Sequence, residues 1–303
     1  MSSGILELIF LAMLWGPSFL FIKIAVLEVP PITMVMVRVG IAAAILYTVL
    51  RFRKTPLPTG WNIWRHFAIL GFFANAFPFL CFNWGEIYVD SALASILNGT
   101  TPLFTMLIAH FAIREERLTL PKILGGLIGF QGLFLLVLPS IQSGVNASFW
   151  GIMAMTAASA SYGIALVYAK KNLPKLAPAV APTAQLTMAT VYLLPLSLLL
   201  DKPWSLPVPS LQAVASIIAL AVFGTAIAFI VYYHILAKVG ATHLSMVTYL
   251  VPVFGIALGV LVLDEILSWH AYLGCLLILL GVMVANGLIR WPQRLMRPRI
   301  ESV

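Results

Sequence analysis

Charged residues are scarce in this chain of 303 residues. They make up 9% of the sequence, whereas hydrophobic residues make up 61% and the mean hydropathy is +1.02. Soluble domains contain about 25% charged and about 45–50% apolar residues. A water-soluble protein could neither bury so much apolar surface nor cover its exterior with so few charges. This composition excludes soluble enzymes, disordered proteins and collagen-like chains, and it predicts a polytopic membrane protein.

Groups that could carry catalysis or bind metals are also rare. Cys81 and Cys275 lie inside apolar runs without metal or disulfide spacing, and the five histidines have no i, i+4 spacing. No phosphate-binding glycine loop precedes a helix. The acidic residues, except Glu7, lie at or beyond the ends of the apolar runs, so paired carboxylates for intramembrane hydrolysis are not expected. We predict no enzyme activity, no metal and no cofactor.

Long apolar runs occupy most of the chain. Their length suits helices that cross a hydrocarbon core about 30 Å thick, whereas β-barrel strands would be about half as long and alternate in polarity. The first run carries Glu7 and no basic leader, so we expect a retained span. We predict an all-α integral membrane protein with ten transmembrane helices, at residues 4–27, 32–50, 66–84, 91–113, 121–139, 149–169, 179–200, 210–236, 241–263 and 269–289.

Basic residues predict the orientation of these helices. Fifteen of the 18 Lys and Arg residues fall in the connections after the even-numbered helices and in the C-terminal tail, leaving Lys23, Arg38 and Lys202. The positive-inside rule therefore places both termini in the cytoplasm, and the even number of spans requires both termini to lie on one side of the membrane. The net charge of +8 is thus interpreted as membrane topology, not as nucleic-acid binding. We expect a multi-pass protein of the bacterial inner membrane.

The two halves of the sequence resemble each other. Each half, residues 1–143 and residues 144–303 with their short basic tail, contains five predicted helices, so the second half must enter the membrane inverted. The predicted fold is therefore two inverted five-helix repeats around a central cavity. Shifts of 147 to 150 residues superpose Trp15-Gly16 on Tyr162-Gly163, Lys23 on Lys170, Gly125 on Gly274, Gly132 on Gly281, Pro102 on Pro252 and Glu115 on Glu265.

Several of these residues resemble a known family. The chain is similar over essentially its whole length to the drug/metabolite transporter superfamily, in particular to its EamA-type exporters, and within these to bacterial aromatic amino-acid exporters. The resemblance implies a basket of helices with helices 5 and 10 to one side. Members carry amino acids, amines, nucleobases and sugars, so the substrate stays open. The residues that carry it are Leu14-Trp15-Gly16, Arg38, Pro102, Pro252, Glu115 and Glu265.

Polar and aromatic residues within the spans are candidates for a substrate site. An amide exposed to lipid would lack a partner, so such residues face either other helices or a wet cavity. Lys23 could instead extend to the interface, and Arg38 could be tied to backbone carbonyls or loop carboxylates. The predicted substrate-binding residues are Trp15, Lys23, Arg38, Asn75, Phe79, Asn83, Asn98, Thr101, Tyr162, Tyr233, Ser245 and Tyr249.

Prolines and a glycine inside the spans predict flexible points for alternating access: Pro78, Gly99, Pro102 and Pro252. Static packing kinks are the alternative. The predicted function is export of small metabolites, foremost aromatic or apolar amino acids, by a possible monomer whose partners are the substrate and the bilayer. The alternatives are export of a nucleobase, sugar or cationic drug, or a channel or scramblase. The sequence does not require proton coupling, because we find no obvious acidic relay within the spans.

Overall fold

The computed structural model describes residues 2–114, 116–142, 147–174, 176–235 and 247–288, and within these ranges the regular structure is helical, without strands. Eight helices of the described chain are long and apolar enough to cross a membrane, and two shorter apolar helices follow. The helices are α1 (Ser2–Trp15 and Pro17–Ala25), α2 (Pro31–Phe52), α3 (Trp61–Gly85), α4 (Ser91–Ala112), α5 (Leu120–Gln142), α6 (Ala147–Asn172), α7 (Val180–Asp201), α8 (Leu211–Ile235), α9 (Val247–Val262) and α10 (Trp269–Ala285).

The boundaries of several helices differ from the sequence prediction, most of all those of α3 and α10. Helix α3 begins at Trp61 rather than at residue 66, because the polar turn before its apolar run is already helical after Gly60, whose φ is +109°. Helix α10 ends at Ala285 rather than at residue 289, and residues 241–246 of the ninth predicted span lie outside the described residues.

Serine and proline residues start several helices. The Ser210 and Ser268 hydroxyls accept hydrogen bonds from the backbone N–H groups of Ala213 and Ala271, which caps the N-termini of α8 and α10. Pro31 occupies the first position of α2, where its missing N–H costs no intrahelical hydrogen bond.

Several helices are locally irregular: α1 is interrupted at Gly16, and the last five residues of α7, Ser197–Asp201, are π-helical. Helices α3 and α8 each contain a π-helical stretch, at Gly71–Ala76 and Val222–Ile227. Helix α4 is interrupted between Asn98 and Thr101 and resumes at Thr101, which is followed by Pro102, a residue with no N–H to donate. Such insertions bend a helix and change the direction in which its side chains point.

Helix pairs define the packing. Helix α5 packs extensively along α10, and α2 packs along α7. Helix α6 contacts α3 and α4, while α1 contacts α8 and α9, and α4 also packs on α9. A Cβ atom added to Gly132 would lie 2.7 Å from the carbonyl oxygen of Gly274, and one added to Gly125 would collide with the Gly281 carbonyl. These glycines therefore let the backbones of α5 and α10 approach closely.

Candidate functional site

Arg38 lies inside the helix bundle, on α2. Its side chain is 5% exposed, and Nε donates a hydrogen bond of 2.9 Å to the hydroxyl of Thr225 in the π-helical part of α8. Its Cζ atom lies 4.1 Å from the ring centroid of Phe79 on α3. The sequence left open a tie to backbone or to loop carboxylates, but the partners are a hydroxyl and an aromatic ring. A cation over a ring face gains about 0.5–2 kcal/mol, more when desolvated.

Aromatic rings surround this cation. Tyr162 of α6 interacts electrostatically with Arg38 and stacks on Phe82, with centroids 6.3 Å apart and an interplanar angle of 22°. Phe82 also makes an edge contact of 5.6 Å with Phe19 of α1. The predicted residues Arg38, Phe79 and Tyr162 are thus brought together, although they are far apart in sequence.

A second aromatic group includes two more predicted residues. The ring centroids of Trp15 in α1 and Tyr232 in α8 lie 5.7 Å apart, and those of Tyr232 and Tyr233 lie 5.2 Å apart. The Tyr233 hydroxyl pairs with the amide of Gln185 at 3.3 Å. Gln185 corresponds to Arg38 in the other half of the sequence, and it contacts an aromatic residue of α8 as Arg38 contacts one of α3.

Two buried amides keep unused hydrogen-bonding capacity. Asn75 and Asn83 of α3 are both 0% exposed. The Asn83 amide nitrogen donates to the Phe79 carbonyl at 2.7 Å. The described part of the chain offers no partner to the Asn83 amide oxygen or to either amide atom of Asn75. Burying an amide without a partner costs free energy, so each such atom calls for an explanation, such as a bound polar ligand or water.

The predicted flexible points of α4 and α9 meet each other. A Cβ added to Gly99 would lie 3.2 Å from Cγ of Pro252, so the interruption of α4 packs against the proline of α9. Asn98 and Thr101 flank this interruption, and the buried Thr101 hydroxyl has no partner. Helix α9 nevertheless continues through Pro252. In α3, Pro78 follows the π-helical stretch directly.

Two predicted site residues cannot be placed with the others. Ser245 lies outside the described residues, and the structure describes the backbone of Tyr249 in α9 but not its side chain.

Lys23 has a different environment from the one expected. Its Nζ donates hydrogen bonds of 2.7 and 2.9 Å to the carbonyl oxygens of Glu86 and Val89, in the connection between α3 and α4. A cation near the C-terminal end of a helix also interacts favourably with the helix dipole. Lys23 therefore ties α1 to this connection.

Glu86 is a buried carboxyl that the sequence analysis assigned to a span end. It follows the last residue of α3, yet it is 0% exposed, and neither carboxyl oxygen has a hydrogen-bond partner among the described residues. Its burial follows from Gly85: a Cβ there would lie 2.9 Å from the Gly151 carbonyl, so the end of α3 presses against α6. A glycine directly before Glu86 was the sequence signal for the burial of this carboxyl group. It could not be interpreted without knowing that α6 packs on Gly85.

Other carboxylates at this end of the bundle bind helix N-termini. Glu265 accepts hydrogen bonds from the N–H groups of Ser91 and Ala92, at 2.8 and 2.9 Å, and so caps α4. Asp201 accepts from the N–H of Thr33 in α2 at 2.8 Å. Carboxylates stabilise helix N-termini through the unpaired N–H groups and the dipole.

The opposite end of the bundle is basic. A cleft of about 480 Å³ lies between α4 and α6, and its lining includes Arg114, Lys170 and Lys171. Lys170 forms an ion pair with Glu116. Among the described residues, no cluster of three His, Cys, Asp or Glu side chains could hold a metal ion.

Comparison with known proteins identifies two matching regions. The profile of the EamA-like transporter family matches residues 2–138 and again residues 149–287. A solved crystal structure shares the fold, with a TM-score of 0.68 at 24% identity over 96% of this chain and 99% of that chain.

Individual relatives span nearly the whole chain. The chain is 26% identical to the uncharacterized transporter YoaV of Bacillus subtilis, over 92% of this chain and 95% of that protein. It is 25% identical to a probable amino-acid metabolite efflux pump of Escherichia coli K12, over 95% of this chain and 96% of the relative. Protein PagO of Salmonella typhimurium is 23% identical, over 89% and 88% of the two chains.

Proposed function

Because the chain belongs to the EamA-like transporter family, we propose that it exports small metabolites, foremost amino acids with aromatic or apolar side chains, across the bacterial inner membrane by alternating access. Membership makes it a membrane transporter of the drug/metabolite type. The substrate, the direction of transport and the mechanism are the proposal.

The observation that carries the proposed substrate class is the surroundings of Arg38. Nε is bound by Thr225, whereas no other hydrogen bond joins the guanidinium to the described residues, so its terminal nitrogens can bind a carboxylate. Phe79 supplies a ring face beside that cation, and Tyr162 packs against the same buried cluster as Phe79. A cation next to aromatic side chains suits an amino acid with an apolar ring, since one end is anionic and the other can stack. The similarity to an amino-acid metabolite efflux pump supports the same class.

We further propose that the chain is an inverted repeat of residues 1–143 and 144–303. The family profile matches once in each half. Two of the three π-helical stretches in the described residues, Gly71–Ala76 and Val222–Ile227, occupy corresponding positions. The helix contacts follow the same symmetry, in which α1 corresponds to α6, α3 to α8 and α4 to α9. Helix α3 packs on α6 as α8 packs on α1, and α4 packs on α6 as α9 packs on α1. Exchanging the halves likewise converts the pair Gly125–Gly281 into Gly274–Gly132. Inverted repeats place the substrate between the two halves, where Arg38 meets α8.

The test is counterflow of radiolabelled phenylalanine or tryptophan in proteoliposomes preloaded with unlabelled amino acid. We expect saturable uptake that depends on the preload. Flux that does not saturate and shows no trans-stimulation would indicate a channel or scramblase. Counterflow of nucleobases, sugars or cationic drugs, but not of amino acids, would mean that the substrate belongs to that other class. A chemically altered product would indicate an enzyme.

Variants test the site itself. Trp15→Ala, Asn83→Ala and Tyr249→Ala should reduce counterflow, whereas Trp204→Ala, which removes a tryptophan that is 71% exposed, should not. Unchanged transport by all three site variants would remove the proposed site.

A further inference from the structure

Glu86 is a carboxyl group in surroundings that do not suit its charged form. It is 0% exposed, and both oxygens lack a hydrogen-bond partner. Within the described part of the chain, no Lys, Arg or His nitrogen lies within 4.0 Å of its oxygens. An ionised carboxylate that is buried without a partner costs several kcal/mol, so such a group takes up a proton instead.

Charged groups from several elements lie around Glu86 without pairing with it. Lys23 approaches from α1, but its Nζ is taken up by the carbonyl oxygens of Glu86 and Val89. Arg38 on α2 attracts the carboxylate from beyond ion-pair distance, and Glu265 repels it. Other titratable groups among the described residues of this region are Tyr88 and Asp90 in the same connection, of which Asp90 interacts with Glu265 and Lys23, and Tyr162 on α6, which interacts with Arg38.

We propose that Glu86 binds the proton whose movement is coupled to transport. This rests on the proposed function, because it adds an energy source to that export. Neutral Glu86 can be enclosed where α3 presses on α6 and where Lys23 holds the connection. Ionised Glu86 must gain water or a cation, which requires this end of the bundle to loosen. Protonation and closure of this end therefore occur together.

The direction of the pH effect follows from the two states. Burial raises the pKa of Glu86 well above its ordinary value, with Lys23 opposing the shift. In an open, hydrated state the pKa returns toward the ordinary value for Glu, about 4.3. The closed arrangement binds the proton more tightly, so it is fully favoured at low pH and becomes less favoured as pH rises through the raised pKa.

The first test needs no substrate. Infrared spectra of the purified protein at pH 7 should contain the carbonyl band of a protonated carboxylic acid, and Glu86→Gln should remove it. Glu28→Gln is the control, because Ser210 donates two hydrogen bonds to Glu28 and thereby lowers its pKa, so it is ionised at pH 7. A spectrum without a band that depends on Glu86 overturns the proposal, whether or not transport is observed.

The second test measures coupling. Proteoliposomes with a lumen one pH unit more acidic than the medium, and with the membrane potential clamped, should accumulate labelled amino acid up to about tenfold, since one pH unit corresponds to 1.36 kcal/mol. Glu86→Gln should abolish this accumulation, because the amide imitates the neutral acid but cannot release a proton. If Glu86→Gln is not recovered folded, Glu86→Met is used.

The outcomes separate the two proposals. Counterflow without any response to the pH gradient in the unmodified protein overturns the role of Glu86 and leaves the exporter intact. A response that persists in Glu86→Gln also overturns it. Absence of counterflow overturns the amino-acid substrate, while the infrared band still decides whether Glu86 holds a proton.

Discussion

The guanidinium of Arg38 lies over the ring of Phe79, with Cζ 4.1 Å from the ring centroid. The two residues belong to neighbouring helices, α2 and α3, and Thr225 of α8 holds Nε from the other half of the chain. The ring and the hydroxyl together fix the plane of the guanidinium. A planar, oriented cation can bind a carboxylate through two parallel hydrogen bonds, whereas a freely rotating cation cannot.

Arg38→Lys should therefore lower the affinity for a carboxylate substrate although it keeps the charge. Lysine cannot donate in parallel from one plane, and the loss of a charged hydrogen bond, about 1.5–3 kcal/mol, corresponds to a roughly ten- to hundredfold weaker affinity. The measurement is the half-saturation concentration in phenylalanine counterflow. Arg65→Lys is the control, because it makes the same change at an exposed position. Equal affinities for Arg38→Lys and the unmodified protein would mean that Arg38 is only structural.

Glu265→Gln should weaken the N-terminus of α4. The carboxylate accepts from the N–H groups of Ser91 and Ala92, and an amide can accept from one of them while losing its charge. The loss of such a cap costs about 0.5–2 kcal/mol. Faster amide hydrogen exchange at Ser91 and Ala92 is expected. Asp264→Asn, the exposed neighbouring carboxylate, is the control, since Asn also adopts the positive φ of that position.

Gly125→Ala should destabilise the contact between α5 and α10. A methyl group there would collide with the Gly281 carbonyl and would lie 2.5 Å from the Ala285 nitrogen. Neither backbone can yield without separating the helices, so we expect a loss of about 1–3 kcal/mol, seen as a lower midpoint of thermal unfolding in detergent. Gly126→Ala is the matched control: its closest neighbour is the flexible end of Met106, 3.1 Å away. Equal midpoints for the two variants would contradict the close approach.

Much of the architecture could be predicted because bilayer thickness dictates the length of apolar runs. The sequence placed α2 and α4 within a few residues, since Pro31 and Asp90-Ser91 mark their starts. The π-helical stretches were not predicted, because a single extra residue in a helical turn leaves no signature in hydropathy. The start of α3 at Trp61 was missed because polar interfacial turns look like loops.

The candidate site was harder to predict than the fold. Arg38, Phe79 and Tyr162 stood out because cations and polar rings are rare in apolar spans, but their mutual contact depends on how α2, α3 and α6 cross. Glu86 and Thr225 were not predicted. Glu86 lies beside a span end that packs closely on α6 through Gly85. A single threonine in an apolar run commonly donates a hydrogen bond to a carbonyl of its own helix, as Thr225 also does to the Leu220 carbonyl.

The predicted orientation can be tested with a matched pair of positions. Lys54 and Lys202 are both exposed, both follow a helix and both have positive φ, 52° and 48°. In a background with Cys81→Ala and Cys275→Ala, Lys202→Cys should react with a membrane-impermeant thiol reagent in intact cells, and Lys54→Cys only after lysis. The positive-inside rule predicts this difference. The reverse pattern would place Glu86 at the cytoplasmic end, so that its proton would be taken up from the cytoplasm and inward proton movement could no longer drive export in the proposed way.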